Sequence, residues 1–137
     1  MHIGLKVVSI VFLVNVLTSC DPVHNIEFIN KSNSNIKVKL NLVSKNENYD
    51  LMQNAFGDSI VLHIKKDRIK HIDFGIGVWD EKEIMELTKS LKSIEIETKD
   101  IKTIYKSKNA MNGVLNNNSK GIIFKKNIEI EITIAIQ

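Results

Sequence analysis

The chain has 137 residues, a formal net charge of +3 and a single cysteine, Cys20. This length allows one domain beside a short leader, and one cysteine excludes an intrachain disulfide. Eighteen of the 19 basic residues are lysines interspersed with acidic residues, and Arg68 is the only arginine. Because nucleic-acid binders cluster their basic residues and depend on arginine for bidentate contacts, the composition predicts no nucleic-acid partner.

The amino-terminal segment has the layout of a secretory signal. Lys6 gives a weakly positive start, and residues 7–17 are apolar except for Ser9 and Asn15. A membrane-spanning helix needs about 20 apolar residues, nearly twice the length of this run. A short apolar run after a positive start is typical of an exported protein. We therefore predict export rather than a permanent transmembrane helix.

The leader ends with Leu17, Thr18, Ser19 and Cys20, which match the lipobox of bacterial lipoproteins at every position. The start of the chain thus resembles that family. The resemblance implies that a diacylglycerol is joined to the Cys20 sulfur and that a peptidase cuts before Cys20. It also implies that the new amino group often receives an acyl chain such as palmitate. An ordinary cleaved signal with a chance cysteine and an uncleaved anchor are the alternatives.

This resemblance divides the chain into a signal peptide (1–19), a lipidated tether (20–25) and a single β-rich domain (26–137). It implies a location at the cell membrane or the outer membrane, with the domain outside the cytoplasm. The membrane would be a partner through the lipid anchor, which two or three acyl chains make firm. Apart from the covalent diacylglycerol on Cys20, we expect no cofactor.

Most of the remaining chain is typical of β-strands. Apolar and polar residues alternate at 36–43 and again at 128–136, which is the pattern of half-buried strands. A polar turn at 31–35 predicts a hairpin between the first two strands. The predicted strands lie at 25–30, 36–43, 59–64, 69–78, 93–98, 101–105, 121–124 and 128–136.

One helix is predicted, from Asp80 to Lys92. Asp80 is a good N-cap, and Glu83 three residues later completes a capping-box pattern. The apolar residues of this segment, Ile84, Leu87 and Leu91, share one face. The polar segments 44–58 and 107–119 are predicted to be irregular loops.

The pattern of seven or eight short strands with one helix in a connection predicts a mostly β fold. An immunoglobulin-like β-sandwich fits this pattern best. An α+β sheet with one packed helix is the alternative. The mature part also resembles, loosely, small uncharacterised β-rich bacterial lipoproteins that begin with a strand and turn, here Ile29-Asn30-Lys31-Ser32.

Three side chains are the only candidates for a metal or acid–base site, and they are weak. His71 and Asp73 lie two residues apart on one predicted strand, so both point to the same face. His63 lies on the preceding strand and could approach them if the two strands pair. A zinc site needs three or four ligands, and this spacing matches no known motif. We therefore expect solvent-exposed polar residues here, with no metal and no catalytic residue.

Other conspicuous residues receive structural interpretations. Gly75 and Gly77 suggest a bulge or a close approach of another backbone. Trp79 is expected in the core. The pairs Glu95/Glu97 and Glu129/Glu131 are expected on solvated strand faces opposite lysines.

The sequence therefore predicts a membrane-anchored lipoprotein that acts as a non-catalytic binding or scaffolding module at the cell envelope, with an envelope protein as a possible partner. The alternative is an inhibitor or immunity lipoprotein directed against an envelope-active enzyme or toxin, with 44–58 and 107–119 as contact loops. An envelope hydrolase would require His63, His71 and Asp73 to converge in a pocket.

Overall fold

The computed structural model describes residues 23–120 and 127–133. Within these residues it contains eight strands and three helices. The strands are β1 (Val23–Asn30), β2 (Ile36–Leu42), β3 (Ser59–Ile64), β4 (Ile69–Ile76), β5 (Leu91–Glu97), β6 (Lys102–Tyr105), β7 (Ser119–Lys120) and β8 (Asn127–Ile132). The helices are α1 (Tyr49–Asn54), α2 (Glu81–Ser90) and α3 (Lys108–Asn117).

The strands form two four-stranded sheets. Sheet A has the order β4-β1-β8-β7 and sheet B the order β3-β2-β5-β6. β1 and β8 run parallel, and the other pairs are antiparallel. The prediction of a mostly β fold with about eight strands is confirmed. The alternative of one sheet with a packed helix is wrong, because the strands divide between two sheets.

The inward faces of both sheets contribute to one core. Strict alternation along β2 buries Ile36, Val38, Leu40 and Leu42 and leaves the lysines between them partly exposed. The same alternation buries Ile128, Ile130 and Ile132 of β8. Stiff, β-branched isoleucine suits such half-buried strands. The sheets therefore enclose a shared hydrophobic interior.

Helix α2 confirms the predicted helix and its N-cap. Asp80 Oδ1 accepts a hydrogen bond from the Glu83 main-chain nitrogen at 2.7 Å. The helix ends at Ser90 rather than Lys92, because Leu91 already has extended backbone angles and begins β5. Ile84 and Leu87 are buried as the helical pattern predicts.

The prediction of a single helix is wrong, because α1 and α3 occupy the segments expected to be loops. Each begins with a side-chain cap: Asn48 Oδ1 accepts from Leu51, and Ser107 Oγ accepts from Ala110. Such caps stabilise a first helical turn by about 1 kcal/mol. The buried residue of α1 is Leu51, and those of α3 are Met111 and Leu115.

The arrangement of β3 and β4 also differs from expectation. The two strands follow one another in the chain but lie in different sheets, β3 beside β2 and β4 beside β1. Within β4 there is one extra residue opposite β1, and Gly75 adopts a φ of +75° there. The expected bulge is therefore present at Gly75, where glycine tolerates the left-handed conformation.

Two ends of the sandwich can be distinguished. The starts of β1 and β5 lie at the same end as the ends of β2 and β4. We call this the tether end, because Val23, the first residue of β1, is only three positions after Cys20. The ends of β1 and β3 lie at the far end. Val23 to Asn25 belong to β1, so the strand takes up half of the expected tether.

Some predictions fall on residues outside those described. These are the signal peptide 1–19 with Leu17, Thr18 and Ser19, the lipidated Cys20, the strand 121–124 and the last three residues of the strand 128–136. Among the residues that are described, none of the helices is long and apolar enough to cross a membrane.

Candidate functional site

A pocket of about 480 Å³ opens at the tether end. Its walls come from the start of β1, the end of β4 and the first turns of α1 and α2. His24, Phe74 and Trp79 form an aromatic wall, and carboxylates from the helices line the mouth. Strand pairing brings these segments together, because Val23 pairs with Ile76. The fold thus places residues 50 positions apart around one opening.

Ring contacts define the aromatic wall. The ring centroids of His24 and Trp79 are 3.9 Å apart, and those of Phe74 and Trp79 are 5.1 Å apart in an edge-to-face arrangement. Trp79 is buried, as the sequence predicted, and its Nε1 donates to the Asn25 main-chain oxygen at 2.9 Å. This bond satisfies the only polar atom of the indole and fixes the ring.

Gly77 explains how the histidine ring fits beside the indole. A Cβ atom at Gly77 would lie 3.1 Å from His24 Nδ1. The group close to this glycine is therefore a side chain, and not another backbone as the sequence predicted. Any larger residue would require the His24 ring to move.

His24 has an incompletely satisfied polar atom. Its side chain is 8% exposed, and Nε2 lies 3.2 Å from Glu83 Oε2. This contact is not a hydrogen bond, and Nε2 is buried without a hydrogen-bond partner. A buried polar atom without a partner is costly, and a ligand in the pocket could supply one.

The lining carries more negative than positive groups. Asp50, Asp80, Glu83 and Glu86 face one lysine, Lys82. Asp80 is engaged as the α2 N-cap. The Lys89 ammonium donates to Glu86 at 2.7 Å and lowers the pKa of that carboxyl. Asp50 and Glu83 place two more carboxylates beside the aromatic wall, and Glu83 Oε2 also lies 3.2 Å from His24 Nε2. Carboxylates beside aromatic rings favour a cationic group.

The candidate residues from the sequence do not form a common site. His71 Nε2 and Asp73 Oδ2 are 3.5 Å apart on the exposed face of β4, in sheet A. His63 lies in sheet B, where it pairs with Lys37 of β2. The expected approach across the ladder therefore does not occur. No group of three His, Cys, Asp or Glu side chains in the described ranges could hold a metal ion.

The glutamates of β5 face lysines, as the sequence predicts. Lys37 Nζ lies 2.7 Å from Glu97, and Lys102 Nζ lies 2.9 Å from Glu95. Asn41 also donates to Glu95 at 2.7 Å. These carboxylates are therefore engaged by neighbouring strands on the outer face of sheet B.

Sequence reasoning missed His24 and the pocket. The contact between His24 and Trp79 joins residues 55 positions apart, and no local pattern encodes it. The sequence feature that could have indicated the pocket was the pair Trp79-Asp80, which places a large ring immediately before a capped helix. Comparison of the chain with known proteins finds no matching family model, no matching curated protein and no matching solved structure.

Proposed function

We propose that this chain is a bacterial lipoprotein, anchored through Cys20, whose β domain is a non-catalytic binding module at the cell envelope. The observation that carries the proposal is the lipobox Leu17-Thr18-Ser19-Cys20 placed directly before the folded domain. The domain would lie outside the cytoplasm, at the cell membrane or the outer membrane.

The short distance between the lipid and the fold supports a function close to the membrane. Val23 is three positions after Cys20, and a fully extended chain covers about 3.5 Å per residue. The start of β1 can therefore stand only about 10 Å from the anchored sulfur. A module that works far from the membrane would need a longer linker.

The pocket supports a binding role. It combines an aromatic wall, a buried His24 Nε2 without a hydrogen-bond partner, and the carboxylates of Asp50 and Glu83. We propose that it receives a ligand group that carries positive charge and presents an apolar surface to the rings. Cation–π attraction and carboxylate pairing would act on the same group.

We further propose that the sandwich is immunoglobulin-like. Two sheets of short strands around one core support this class. The first and last described strands, β1 and β8, pair in parallel at the centre of sheet A.

The anchor is tested by metabolic labelling with a fatty-acid probe. We expect the wild-type protein to be labelled and to remain with membranes after salt washing. Cys20→Ala should lose the label, whereas Ser19→Ala keeps the thiol and should retain it. Equal labelling of Cys20→Ala and the wild type would overturn the anchor.

The pocket is tested with choline as a probe, read by the fluorescence of Trp79, the only tryptophan. We expect saturable binding that the uncharged carbon isostere of choline does not reproduce. Glu83→Gln should weaken binding by about tenfold, the loss of one favourable charge contact. Glu81→Gln, on the exposed side of α2, is the matched control. Equal responses to choline and its isostere would contradict a cation site.

The inhibitor or immunity hypothesis differs from this proposal in the binding partner that it predicts. An inhibitor would co-purify with one envelope enzyme or toxin and would reduce that protein's activity in a purified mixture. A binding module for a cationic ligand would bind choline without any protein partner.

A further inference from the structure

Helix α1 presents large apolar side chains to solvent. Tyr49 is 73% exposed and Met52 is 45% exposed, and Phe56, just after the helix, is 96% exposed. Single exposed apolar residues are common on soluble proteins. Three on one short segment form a surface that is usually covered in function.

We call Tyr49, Met52 and Phe56 the α1 stripe. Tyr49 and Met52 lie three positions apart on one side of α1, whereas Leu51 is fully buried. Phe56 follows the helix after Ala55, whose backbone is extended. The helix thus needs one leucine for its packing, and Tyr49 and Met52 are exposed beside the polar residues Gln53 and Asn54. Core packing does not explain the choice of Tyr49, Met52 and Phe56.

The stripe lies at the tether end of the sandwich. Asn48 and Asp50, on either side of Tyr49, line the same pocket as His24, the second residue of β1. Phe56 is bridged to Ser59, at the start of β3. Ile76, which pairs with Val23, is 69% exposed at this end as well. An extended chain from Val23 reaches the Cys20 sulfur within at most about 10 Å, so an anchored Cys20 would turn this end toward the bilayer.

We propose that the α1 stripe, consisting of Tyr49, Met52 and Phe56, docks into the interface of the bilayer to which Cys20 is anchored. This inference rests on the proposed lipid anchor. Aromatic side chains favour the membrane interface, where an apolar ring meets the polar headgroups. Docking would cover the exposed stripe and hold the pocket at a fixed height and orientation above the headgroups.

The local charge indicates which force drives docking. Segment 44–58 contains one lysine and three carboxylates, so it carries no attraction for anionic lipid. Burial of the apolar stripe must therefore supply the driving force. Docking on zwitterionic vesicles should be nearly independent of salt, and docking should be weaker on vesicles rich in anionic lipid.

The experiment uses the complete lipidated protein in vesicles of phosphatidylethanolamine and phosphatidylcholine. The lipid blocks the only native cysteine, so an engineered cysteine is the only reactive thiol. Phe56→Cys is labelled with an environment-sensitive fluorophore, and quenching is measured with a quencher carried on the lipid chains. Ile69→Cys is the matched control, because Ile69 is 55% exposed at the start of β4, at the far end.

We expect the label at position 56 to be quenched several-fold more strongly than the label at position 69. Adding Met52→Asp to Phe56→Cys should lower the quenching toward the control value, since a charged side chain resists burial in lipid. Equal quenching at both positions would overturn the docking. Capture of a protein on this surface, with the label remaining in water, would overturn it in favour of a protein partner.

Failure of the anchor gives a different result from failure of docking. If Cys20 carries no lipid, the thiol reagent labels the wild-type protein and the protein washes off the vesicles. If the anchor holds and docking fails, the protein stays on the vesicles and both labels remain in water.

Discussion

Asn30, the last residue of β1, donates a hydrogen bond from Nδ2 to the main-chain oxygen of Ile64, the last residue of β3, at 3.0 Å. This bond joins sheet A to sheet B at the far end. The same amide donates to the Ser34 oxygen and accepts from the nitrogen and hydroxyl of Ser32. All four hydrogen-bonding positions of a fully buried amide are therefore used.

The first prediction concerns this amide. Asn30→Asp keeps the size but places a carboxylate oxygen against the carbonyl oxygens of Ser34 and Ile64. We expect the free energy of unfolding to fall by about 3 kcal/mol, because the oxygens of Ser34 and Ile64 each lose a donor and a charge is buried without a counter-charge. Urea denaturation measures the loss. Asn33→Asp, exposed in the same turn, should change stability by less than about 0.5 kcal/mol. Equal losses would contradict the role of Asn30.

The sequence predicted the strands well because their alternation is local. Each inward residue of β2 and β8 is marked by its own neighbours, and Asp80 marks the start of α2 in the same way. Helices α1 and α3 were missed because they bury few residues. Leu51 alone cannot show a period, and the asparagines and Gly113 of α3 are poor helix formers.

Non-local features could not be predicted from the sequence. The connection after Ile64 crosses from sheet B to sheet A, so His63 and His71 separate although their strands are consecutive. The contact of His24 with Trp79 depends on how β1 pairs with β4. The Ser107 cap and the spacing of Met111 and Leu115 were the signals that could have identified α3.

The second prediction concerns Lys108, the first residue of α3. Its Nζ donates to the main-chain oxygens of Thr88, Lys89 and Leu91 at 2.9, 3.3 and 2.6 Å, and so caps the end of α2. A cation there also offsets the negative end of the helix dipole. We expect Lys108→Met to lower the free energy of unfolding by about 1–2 kcal/mol.

Thermal unfolding measures this change, and hydrogen exchange should show faster opening of the last turn of α2. Lys106→Met removes an exposed lysine two residues away and is the control. If the two variants lose the same stability, the cap contributes nothing beyond general surface charge.

The third prediction compares two glycines. A Cβ atom at Gly75 or at Gly113 would meet nothing within 4 Å, so the two sites differ in backbone conformation and not in space. Gly75 has a φ of +75°, whereas Gly113 lies inside α3. Gly113→Ala should stabilise the fold by about 0.5–1 kcal/mol, and Gly75→Ala should destabilise it by about 1–2 kcal/mol. Chemical denaturation of both variants tests the pair, and changes of the same sign would contradict the assignment.

The fourth prediction uses the charges on the outer face of sheet B. The hydrogen bond from Lys102 lowers the pKa of Glu95 below its ordinary value, and the bond from Asn41 adds to this effect. Glu97 has a lowered pKa because Lys37 donates to it. A carboxyl with a lowered pKa in the folded state stabilises the fold above its unfolded pKa. That stability is lost as the pH falls through the folded pKa.

We therefore expect the free energy of unfolding to decline as the pH falls below about 4.5, the region in which unfolded glutamates take up protons. Lys102→Met removes the main cause of the Glu95 shift, so its decline in this range should be shallower than that of the wild type. The exposed Lys106→Met variant loses the same formal charge and should keep the wild-type slope. Urea denaturation at a series of pH values compares the three proteins.

Because the pair lies on the surface, added salt should reduce the difference in slope between Lys102→Met and the wild type. Parallel curves for all three proteins at low salt would show that the contact between Lys102 and Glu95 does not couple folding to pH.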